Sequence, residues 1–273
     1  MSGQPVGVAI PGCAGRMGRA LLQALAASSD LRLSGASERC GASVIGQDAG
    51  TVAGLPPLGV QITDDQEALL AGAQGVIDFT LPAPTVELAR RCGDRRLPLV
   101  IGTTGFNDEQ RAGLARVAQH VPVVLAPNMS VGVNVLVRLV AEAARLLGAG
   151  YDLEIVEAHH NQKVDAPSGT ALRLAEALAE ATAEQDGLAE RVCYGRRGNI
   201  GPRPRREIGV QTVRGGDIVG EHTVMFCGAG ERVELVHRAS SRQTFAGGAL
   251  RALRWAIGRA PGLYDMSDVL GLR

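Results

Sequence analysis

The chain has 273 residues, of which 45% are hydrophobic and 21% charged, and its 28 basic and 28 acidic side chains cancel to a formal net charge of zero. This composition is that of a globular protein with one long domain or two smaller ones, and the balanced charge argues against a nucleic-acid or membrane-surface partner. Five scattered cysteines without a C-x-x-C pair, no signal peptide and no apolar run of about 18 residues argue against a disulfide framework, a zinc motif and a membrane span, and predict a cytoplasmic protein.

The first half of the chain alternates short apolar segments with helical patterns. Strands are predicted at 6–10, 31–36, 75–79, 98–102 and 121–126, and helices at 16–28, 85–94 and 108–120. The first, fourth and fifth of these strands are almost continuously apolar, as expected for strands covered on both faces. Strand–helix alternation of this kind predicts an α/β domain with an open parallel sheet.

A glycine-rich segment follows the first predicted strand. Glycines stand at 12, 15 and 18 in PGCAGRMGRALL, just where a helix begins. They suit a tight turn, a close approach of the backbone to a pyrophosphate and close helix–strand packing, and the helix N-terminus with Arg16 adds positive charge. Ala14 replaces one glycine of the usual G-x-G-x-x-G pattern. The segment predicts a Rossmann-type nucleotide loop, with a glycine turn that binds no ligand as the alternative.

Further residues near predicted strand ends support a nicotinamide cofactor. Glu38 lies twenty residues beyond Gly18, where an acid can bond the ribose hydroxyls of NAD(H). Arg39 could instead neutralise the extra phosphate of NADP(H), so the pair predicts tolerance of both cofactors. The loops 102–105 and 126–130 also follow strands, at the ends where open α/β sheets bind ligands.

The pattern changes near residue 130. Helices are predicted over 130–148, 168–183 and 242–258, and strands over 207–214, 217–226 and 231–239. This half predicts a second domain of mixed α and β structure, and the sequence pattern leaves open whether the last helix returns to the first domain.

The segment EIVEAHHNQKVDAPSGTA, residues 154–171, concentrates polar chemistry. His159 and His160 end a predicted strand, on which neighbours point to opposite faces, so at most one of them can be buried. A loop follows, and a helix then begins whose first free N–H groups, near Gly169 and Thr170, form a cradle for a carboxylate or phosphate.

This segment suits a small carboxylate that must exchange protons. An imidazole trades a proton near neutral pH, and Lys163 can donate a proton and hold negative charge. A metal site made of Glu157, His159, His160 and Asp165 lacks H-E-x-x-H or similar spacing, so no metal is expected. A surface loop without function is the remaining alternative.

Several motifs, in the same order along the chain, resemble those of the 4-hydroxy-tetrahydrodipicolinate reductase family, formerly called dihydrodipicolinate reductases, of the diaminopimelate–lysine pathway. They are GCAGRMG, ASER, VIGTTG, APNMSVGVN, EAHHNQKVDAPSGTA and RGGDIVGEHTVMF. The resemblance implies that the 4-hydroxyl of the substrate leaves as water and that NADH or NADPH reduces the conjugated imine to tetrahydrodipicolinate.

The resemblance also implies roles for individual residues. His159 would give or take a proton, Lys163 would donate one, His160 would contact the substrate, and Gly169 and Thr170 would hold a substrate carboxylate. The residues that would line the cofactor are Gly12, Cys13, Ala14, Gly15, Arg16, Met17, Glu38, Arg39, Gly102, Thr103, Thr104, Ala126, Pro127, Asn128 and Met129. Met129 departs from the family, which usually has Phe at this position.

On the same analogy, residues 1–130 and 241–273 form the dinucleotide-binding domain, and residues 131–240 form the substrate-binding and oligomerisation domain of a homotetramer. The expected partner is a small dicarboxylate substrate. Two other functions remain open at this point: another two-domain NAD(P)-dependent dehydrogenase acting on a small carboxylate or amino acid, and a nucleotide sensor without catalysis.

Overall fold

The computed structural model describes residues 4–182 and 188–272. These residues divide into two compact units. One consists of the described residues of Met1–Val131 and Arg242–Arg273, and the other of those of Gly132–Ser241.

The described residues form twelve strands and ten α-helices. The strands are β1 Val6–Pro11, β2 Leu31–Ser37, β3 Ile62–Thr63, β4 Gly75–Asp78, β5 Leu99–Ile101, β6 Pro122–Leu125, β7 Asp152–His159, β8 Val192–Tyr194, β9 Ile208–Arg214, β10 Gly220–Cys227, β11 Arg232–Ala239 and β12 Gly262–Tyr264. The helices are α1 Arg16–Ala26, α2 Ala49–Val52, α3 Gln66–Leu70, α4 Pro82–Arg95, α5 Asp108–Val117, α6 Val131–Leu147, α7 Gly169–Ala181, α8 Leu188–Arg191, α9 Gln243–Ala256 and α10 Met266–Leu270, with a short 3-10 turn at Gly148–Gly150.

The first unit is built on one parallel sheet. Its seven described strands lie in the order β12-β6-β5-β4-β1-β2-β3. Val8 and Ile10 of β1 belong to a core that includes residues of α1 and α9, while Ala9 belongs to a core on the other face with α4 and α5. Burial of both faces explains why these strands are apolar throughout. The strand order reverses at β1, and such switch points place ligand crevices at the carboxyl ends of the strands.

Helix α9 packs closely within this first unit. A Cβ atom on Gly248 would lie 1.7 Å from the carbonyl oxygen of Met129, and one on Gly75 would lie 2.6 Å from a methyl group of Leu253. Glycine at these two positions therefore lets the helix approach the sheet and the loop after β6. The last long helix thus returns to the unit that contains β1.

The second unit is a mixed sheet covered by helices. Its described strands lie in the order β11-β10-β7-β9-β8, with β7, β9 and β8 parallel and β10 antiparallel to both of its neighbours. Its core contains Val140 from α6, Leu174 and Leu178 from α7, and Ile155 and Phe226 from the sheet. Because the buried residues of β7 alternate along the strand, one face of this sheet packs on the helices.

The structure corrects several predicted boundaries. The strand predicted over 217–226 begins only at Gly220, because residues 217–219 still belong to the turn after β9. Helix α4 begins at Pro82 rather than at residue 85, with proline in its first turn. The helix predicted over 168–183 corresponds to α7, and residue 183 lies outside the described residues. Among the described helices, none combines the length and apolar character needed to cross a bilayer.

Candidate active site

The glycine loop after β1 makes a tight turn in which two glycines leave no room for a side chain. Gly12 adopts a φ of +63°, and a Cβ atom there would lie 2.9 Å from the Thr80 methyl group. A Cβ on Gly18 would lie 2.2 Å from the Gly12 carbonyl oxygen, so both positions need glycine. The Cys13 side chain is buried in the core, and burial raises the pKa of its thiol to about 12. Cys13 therefore offers a ligand its backbone rather than a thiolate.

Helix α1 begins without a side-chain cap. Gly15 is the residue before its first turn, no side chain accepts a hydrogen bond there, and Arg16 is exposed at the first helical position. Uncapped first-turn amides and the partial positive charge of the helix end attract an anion. Together with the glycine loop, this end of α1 fits the pyrophosphate of a dinucleotide.

The acid predicted to bind ribose lies against this loop. The Glu38 carboxylate accepts a hydrogen bond from the backbone N–H of Ala14 at 3.0 Å. The backbone N–H of Glu38 in turn donates to the carbonyl oxygen of Thr63 at 3.0 Å, which fixes the chain just after β2. Arg39 is exposed. The structure therefore brings Glu38 to the same strand ends as the glycine loop.

Hydrogen bonds from Gly102 and Thr103 fix the loop after β5. The N–H of Gly102 donates to the Asp78 carbonyl oxygen at 2.8 Å, and a Cβ atom on Gly102 would lie 2.1 Å from the Phe79 ring. The buried Thr103 hydroxyl bonds that of Thr85 at 3.1 Å. Thr104, by contrast, is exposed. This loop is rigid at Gly102 and Thr103 and presents Thr104 to solvent.

The loop after β6 lies beside the preceding one. The N–H of Ala126 donates to the Ile101 carbonyl oxygen at 3.1 Å, and the Asn128 side chain accepts from the N–H of Ser130 at 2.9 Å. Pro127 is exposed, whereas Met129 is only 1% exposed and packs in the main core of the first unit. Met129 therefore contributes packing with its side chain.

In the second unit, strand pairing collects polar side chains on the buried face of β7. Glu157 and His159 are two residues apart and therefore share that face, and Glu157 is fully buried. Parallel pairing with β9 sets Arg214 opposite His159, and antiparallel pairing with β10 sets His222 opposite Glu157. Of the two adjacent histidines, His159 is the buried one, at 9% exposure, while His160 is half-buried.

Glu157 and His159 form a close pair. The distance from His159 Nδ1 to a Glu157 carboxylate oxygen is 2.5 Å. Burial alone would raise the pKa of Glu157, but hydrogen bonds from His159, Arg214 and the Ser168 N–H outweigh it and lower this pKa to about 2. Glu157 is therefore an ionised carboxylate, which can only accept hydrogen bonds.

A second buried imidazole lies beside the first. The rings of His159 and His222 meet edge to face, with centroids 5.2 Å apart. His222 Nε2 lies 3.2 Å from the Ser168 hydroxyl, which caps α7 by accepting from the Ala171 N–H. Burial, reinforced by nearby His159, lowers the pKa of His222 to about 3. His222 is thus neutral at physiological pH.

The loop after β7 carries Lys163. Its Nζ atom lies 2.9 Å from the Asp165 carboxylate, and its backbone N–H donates to the carbonyl oxygen of His160. The N–H of His160 donates to the Ile218 carbonyl oxygen at 2.7 Å, which ties the loop to the turn before β10. Lys163 is the single lysine among the 28 basic residues of the chain. An arginine stays protonated in proteins whereas a lysine can release its proton, so Lys163 is the one residue among the lysines and arginines of this chain that can act as an acid.

The predicted carboxylate cradle lies at the start of α7. Ser168 is the residue before the helix, its hydroxyl takes the Ala171 N–H, and Gly169 and Thr170 form the first turn. A Cβ atom on Gly169 would meet no atom within 4 Å, so the space in front of this turn is open. The structure therefore brings His159, Lys163 and this helix N-terminus together in one loop region of the second unit.

Sequence reasoning missed three of the residues that build this region. Arg214 and His222 belong to the motif RGGDIVGEHTVMF, but the sequence pattern does not show that strand pairing sets them opposite β7. Glu157 was considered only as a metal ligand, although its oxygens bond Arg214, His159, Ser168 and Thr212. The alternation E-x-H on a predicted strand was the available signal, since it places acid and imidazole on one face.

The sequence matches two family models that together extend from residue 6 to residue 270. "Dihydrodipicolinate reductase, N-terminus" matches residues 6–129, and "Dihydrodipicolinate reductase, C-terminus" matches residues 132–270.

Full-length relatives carry one common name, 4-hydroxy-tetrahydrodipicolinate reductase. The protein of this name from Thiobacillus denitrificans is 57% identical over 268 residues, which are 98% of this chain and 99% of the relative. That from Anaeromyxobacter dehalogenans is 56% identical over 266 residues, or 97% and 98% of the two chains. A dipicolinate-bound dihydrodipicolinate reductase from Paenisporosarcina sp. TG-14 has a similar structure, with a TM-score of 0.74, 25% identity and coverage of 96% of this chain and 98% of that one.

Proposed function

The chain belongs to the dihydrodipicolinate reductase family, whose activity is the reduction of 4-hydroxy-tetrahydrodipicolinate, and we propose that His159 and Lys163 handle the protons of this reaction. Because the two family models extend from residue 6 to residue 270, they exclude the two alternative functions, another dehydrogenase and a nucleotide sensor. The protein is an oxidoreductase, and the role of its family lies in diaminopimelate and lysine biosynthesis.

The reaction requires both proton transfer and hydride transfer. The substrate, NAD(P)H and a proton give tetrahydrodipicolinate, water and NAD(P)⁺. A bound NADH or NADPH supplies the hydride. Loss of the 4-hydroxyl as water needs an acid for the leaving oxygen and a base for the neighbouring carbon. Reduction of the conjugated imine then needs a further proton.

His159 and Lys163 suit these proton steps. Because Glu157 can only accept hydrogen bonds, His159 holds its proton at Nδ1 and exchanges protons through Nε2. Lys163 is paired with the exposed Asp165 side chain, and a substrate carboxylate can take the place of that partner. The observation that carries this proposal is the buried Glu157–His159 pair at the end of β7, which is followed in the next loop by the only lysine of the chain.

The first turn of α7 is the proposed carboxylate site. The N–H groups of Gly169 and Thr170, together with His160, would bind one carboxylate of a dicarboxylate substrate. Support comes from the open space before Gly169 and from the dicarboxylate bound in the related reductase.

The first unit has a Rossmann-type nucleotide-binding fold. We assign the cofactor to its strand ends, with Gly12 to Met17 at the pyrophosphate and Glu38 and Arg39 at the adenosine ribose. Loops 102–104 and 126–129 would lie near the nicotinamide. The uncapped N-terminus of α1 and the two glycines that admit no Cβ support this assignment.

The proposed domain roles and assembly follow the family. Residues 1–130 and 241–273 would bind the nucleotide, and residues 131–240 would bind substrate and form a homotetramer. Light scattering of the purified chain measures this directly, and a monomeric mass at micromolar concentration would contradict the tetramer.

Substitution of the two proton-handling residues tests the proposal. His159→Gln and Lys163→Met should each lower kcat at least 100-fold, as loss of a general acid or base does by roughly 10²–10⁴, while the Kd of NADPH stays within twofold. Arg173→Met, on the exposed side of α7, is the control and should keep wild-type kcat. Normal turnover by either proton-site variant would remove that residue from the mechanism.

A further inference from the structure

The geometry points to Glu157 as a positioning residue that fixes both the proton-exchanging edge of His159 and the start of the carboxylate-binding helix α7. We infer that Arg214 holds Glu157 in this role. The inference rests on the proposed function of His159 and adds two residues to it that do not themselves touch the substrate.

Glu157 uses both of its carboxylate oxygens. One oxygen accepts from His159 Nδ1 at 2.5 Å and from Arg214 Nη1 at 2.9 Å. The other accepts from the Ser168 N–H at 3.1 Å, from Arg214 Nη2 at 2.9 Å and from the Thr212 hydroxyl at 3.2 Å. A single buried side chain is therefore bonded to the imidazole and to the residue that precedes the carboxylate cradle.

Arg214 forms a two-point contact with Glu157. Its two terminal nitrogens bond the two carboxylate oxygens in the planar fork that arginine offers to carboxylates. One of these nitrogens also donates to the Asp165 carbonyl oxygen at 2.6 Å, so the same guanidinium reaches the loop that carries Lys163. Arg214 thereby prevents rotation of Glu157 and links it to that loop.

The consequence for His159 is a fixed tautomer. A carboxylate cannot donate a hydrogen bond, so Nδ1 must carry the hydrogen and Nε2 must be the exchanging atom. Room for that atom comes from Gly220, since a Cβ atom there would lie 3.0 Å from Nε2. Glycine at this position keeps the Nε2 edge open.

Charges from every neighbouring element bear on this imidazole. They are Glu157 on β7, Arg214 on β9, neutral His222 on β10 with His237 of β11 beside it, and Lys163 and Asp165 on the loop. Because Arg214 already balances Glu157, removing the carboxylate charge leaves a cluster with an excess of positive charge next to His159. The charge balance around His159 therefore depends on the Glu157 carboxylate.

Glu157→Gln is the direct test, since it keeps the shape of the side chain. Its amide NH₂ can donate to His159 Nδ1 and so favours the opposite tautomer. We expect kcat to fall about 10- to 100-fold, less than the roughly 10²–10⁴ that a general acid or base itself contributes, because Glu157 only positions that group. The Kd of NADPH should stay unchanged. The pH profile of kcat/KM should also change, because the charge beside His159 has changed.

Glu154→Gln is the matched control. Glu154 lies on the same strand, is partly buried and, like Glu157, forms ion pairs with arginine, here with Arg196 and Arg203. Its partners lie away from His159, so a merely structural loss of an ion pair on β7 would appear in this variant as well. We expect kcat and the pH profile of Glu154→Gln to remain within twofold of wild type.

A measurement on the wild-type protein keeps the inference testable if Glu157→Gln folds poorly. ¹⁵N-imidazole NMR, with His159 assigned by His159→Gln, should show hydrogen on Nδ1 in the neutral ring. The Nε2-protonated tautomer would overturn the inference, as would a Glu157→Gln enzyme with wild-type kcat and pH profile. If His159→Gln itself turns over normally, the proposed function fails; if only Glu157→Gln does, the positioning role alone fails.

Discussion

The carboxylate of Glu38 accepts a hydrogen bond from the backbone N–H of Ala14 at 3.0 Å, which joins the end of β2 to the glycine loop after β1. A negative charge is thus fixed beside the loop proposed for the pyrophosphate. Arg39, the next residue, is exposed and carries the opposite charge. The balance between these two side chains sets the cofactor preference in our account.

Substitutions at these two positions should separate NADH from NADPH. Arg39→Ala removes the cation expected at the extra phosphate of NADPH. We expect the KM for NADPH to rise about tenfold, because a hydrogen bond to a charged group contributes about 1.5–3 kcal/mol. The KM for NADH should change little. Glu38→Ala should raise the KM for NADH more than that for NADPH. Steady-state kinetics with both cofactors measure this, and equal effects on the two cofactors would contradict the assignment.

His222 should make the protein sensitive to acid. Burial lowers the pKa of His222 from 6.5 to about 3. Between these two pH values the imidazole is protonated in the unfolded chain but neutral in the folded chain. Stability should therefore be lost as pH falls from about 6.5 towards 3, by up to about 1.4 kcal/mol per pH unit. In His222→Gln, thermal unfolding between pH 7 and pH 4 should show a shallower fall in Tm. A fall as steep as that of wild type would contradict this prediction.

Asp78 should have the opposite dependence. Its side chain is fully buried, one carboxylate oxygen has no hydrogen-bond partner among the described residues, and burial raises its pKa above 3.8. A carboxyl group of this kind favours folding at low pH, and this contribution is lost as pH rises through the folded pKa. Asp78→Asn should therefore exceed wild type in Tm by about 2 °C or more at pH 8, with a smaller gain at pH 4. A gain that does not grow with pH would contradict the raised pKa.

Gly220 should be needed for proton exchange at His159. Gly220→Ala would place a methyl group 3.0 Å from Nε2, and we expect kcat to fall about tenfold, a loss of about 1.4 kcal/mol in transition-state stabilisation. Gly215→Ala is the control, because a Cβ atom at Gly215 meets nothing within 4 Å. Both kcat values come from the same steady-state assay. Equal activity of the two variants would show that the Nε2 edge is not limiting.

Local patterns in the sequence predicted much of the fold and of the nucleotide loop. The apolar strands, the glycine spacing and the acid at Glu38 are short-range signals with direct physical causes. The short strands β3 and β12 are not predicted, because two or three residues without a longer apolar run show no detectable periodicity. Their place in the sheet is set by neighbouring strands.

The polar network around His159 shows where sequence reasoning ends. The segment 154–171 identified the imidazole, the lysine and the helix N-terminus, since all three lie close together in the chain. Arg214 and His222 join them only through the registers of β9 and β10 against β7. Strand pairing over more than fifty residues leaves no local trace, so these partners could not be found from the sequence pattern alone.

The central claim, that Lys163 acts as a proton donor in this reductase, is tested most directly by nicotinamide absorbance over time. Freshly made 4-hydroxy-tetrahydrodipicolinate, generated in the cuvette from pyruvate and aspartate semialdehyde by the preceding synthase, is mixed with NADPH and either wild type or Lys163→Arg. We predict rapid loss of absorbance with wild type. The arginine variant should be at least 100-fold slower, because a general acid contributes a factor of roughly 10²–10⁴ to the rate. It should be slower even though it keeps the positive charge and binds NADPH as well as wild type. Equal rates would show that charge alone suffices at this position and would contradict the proton-donor role.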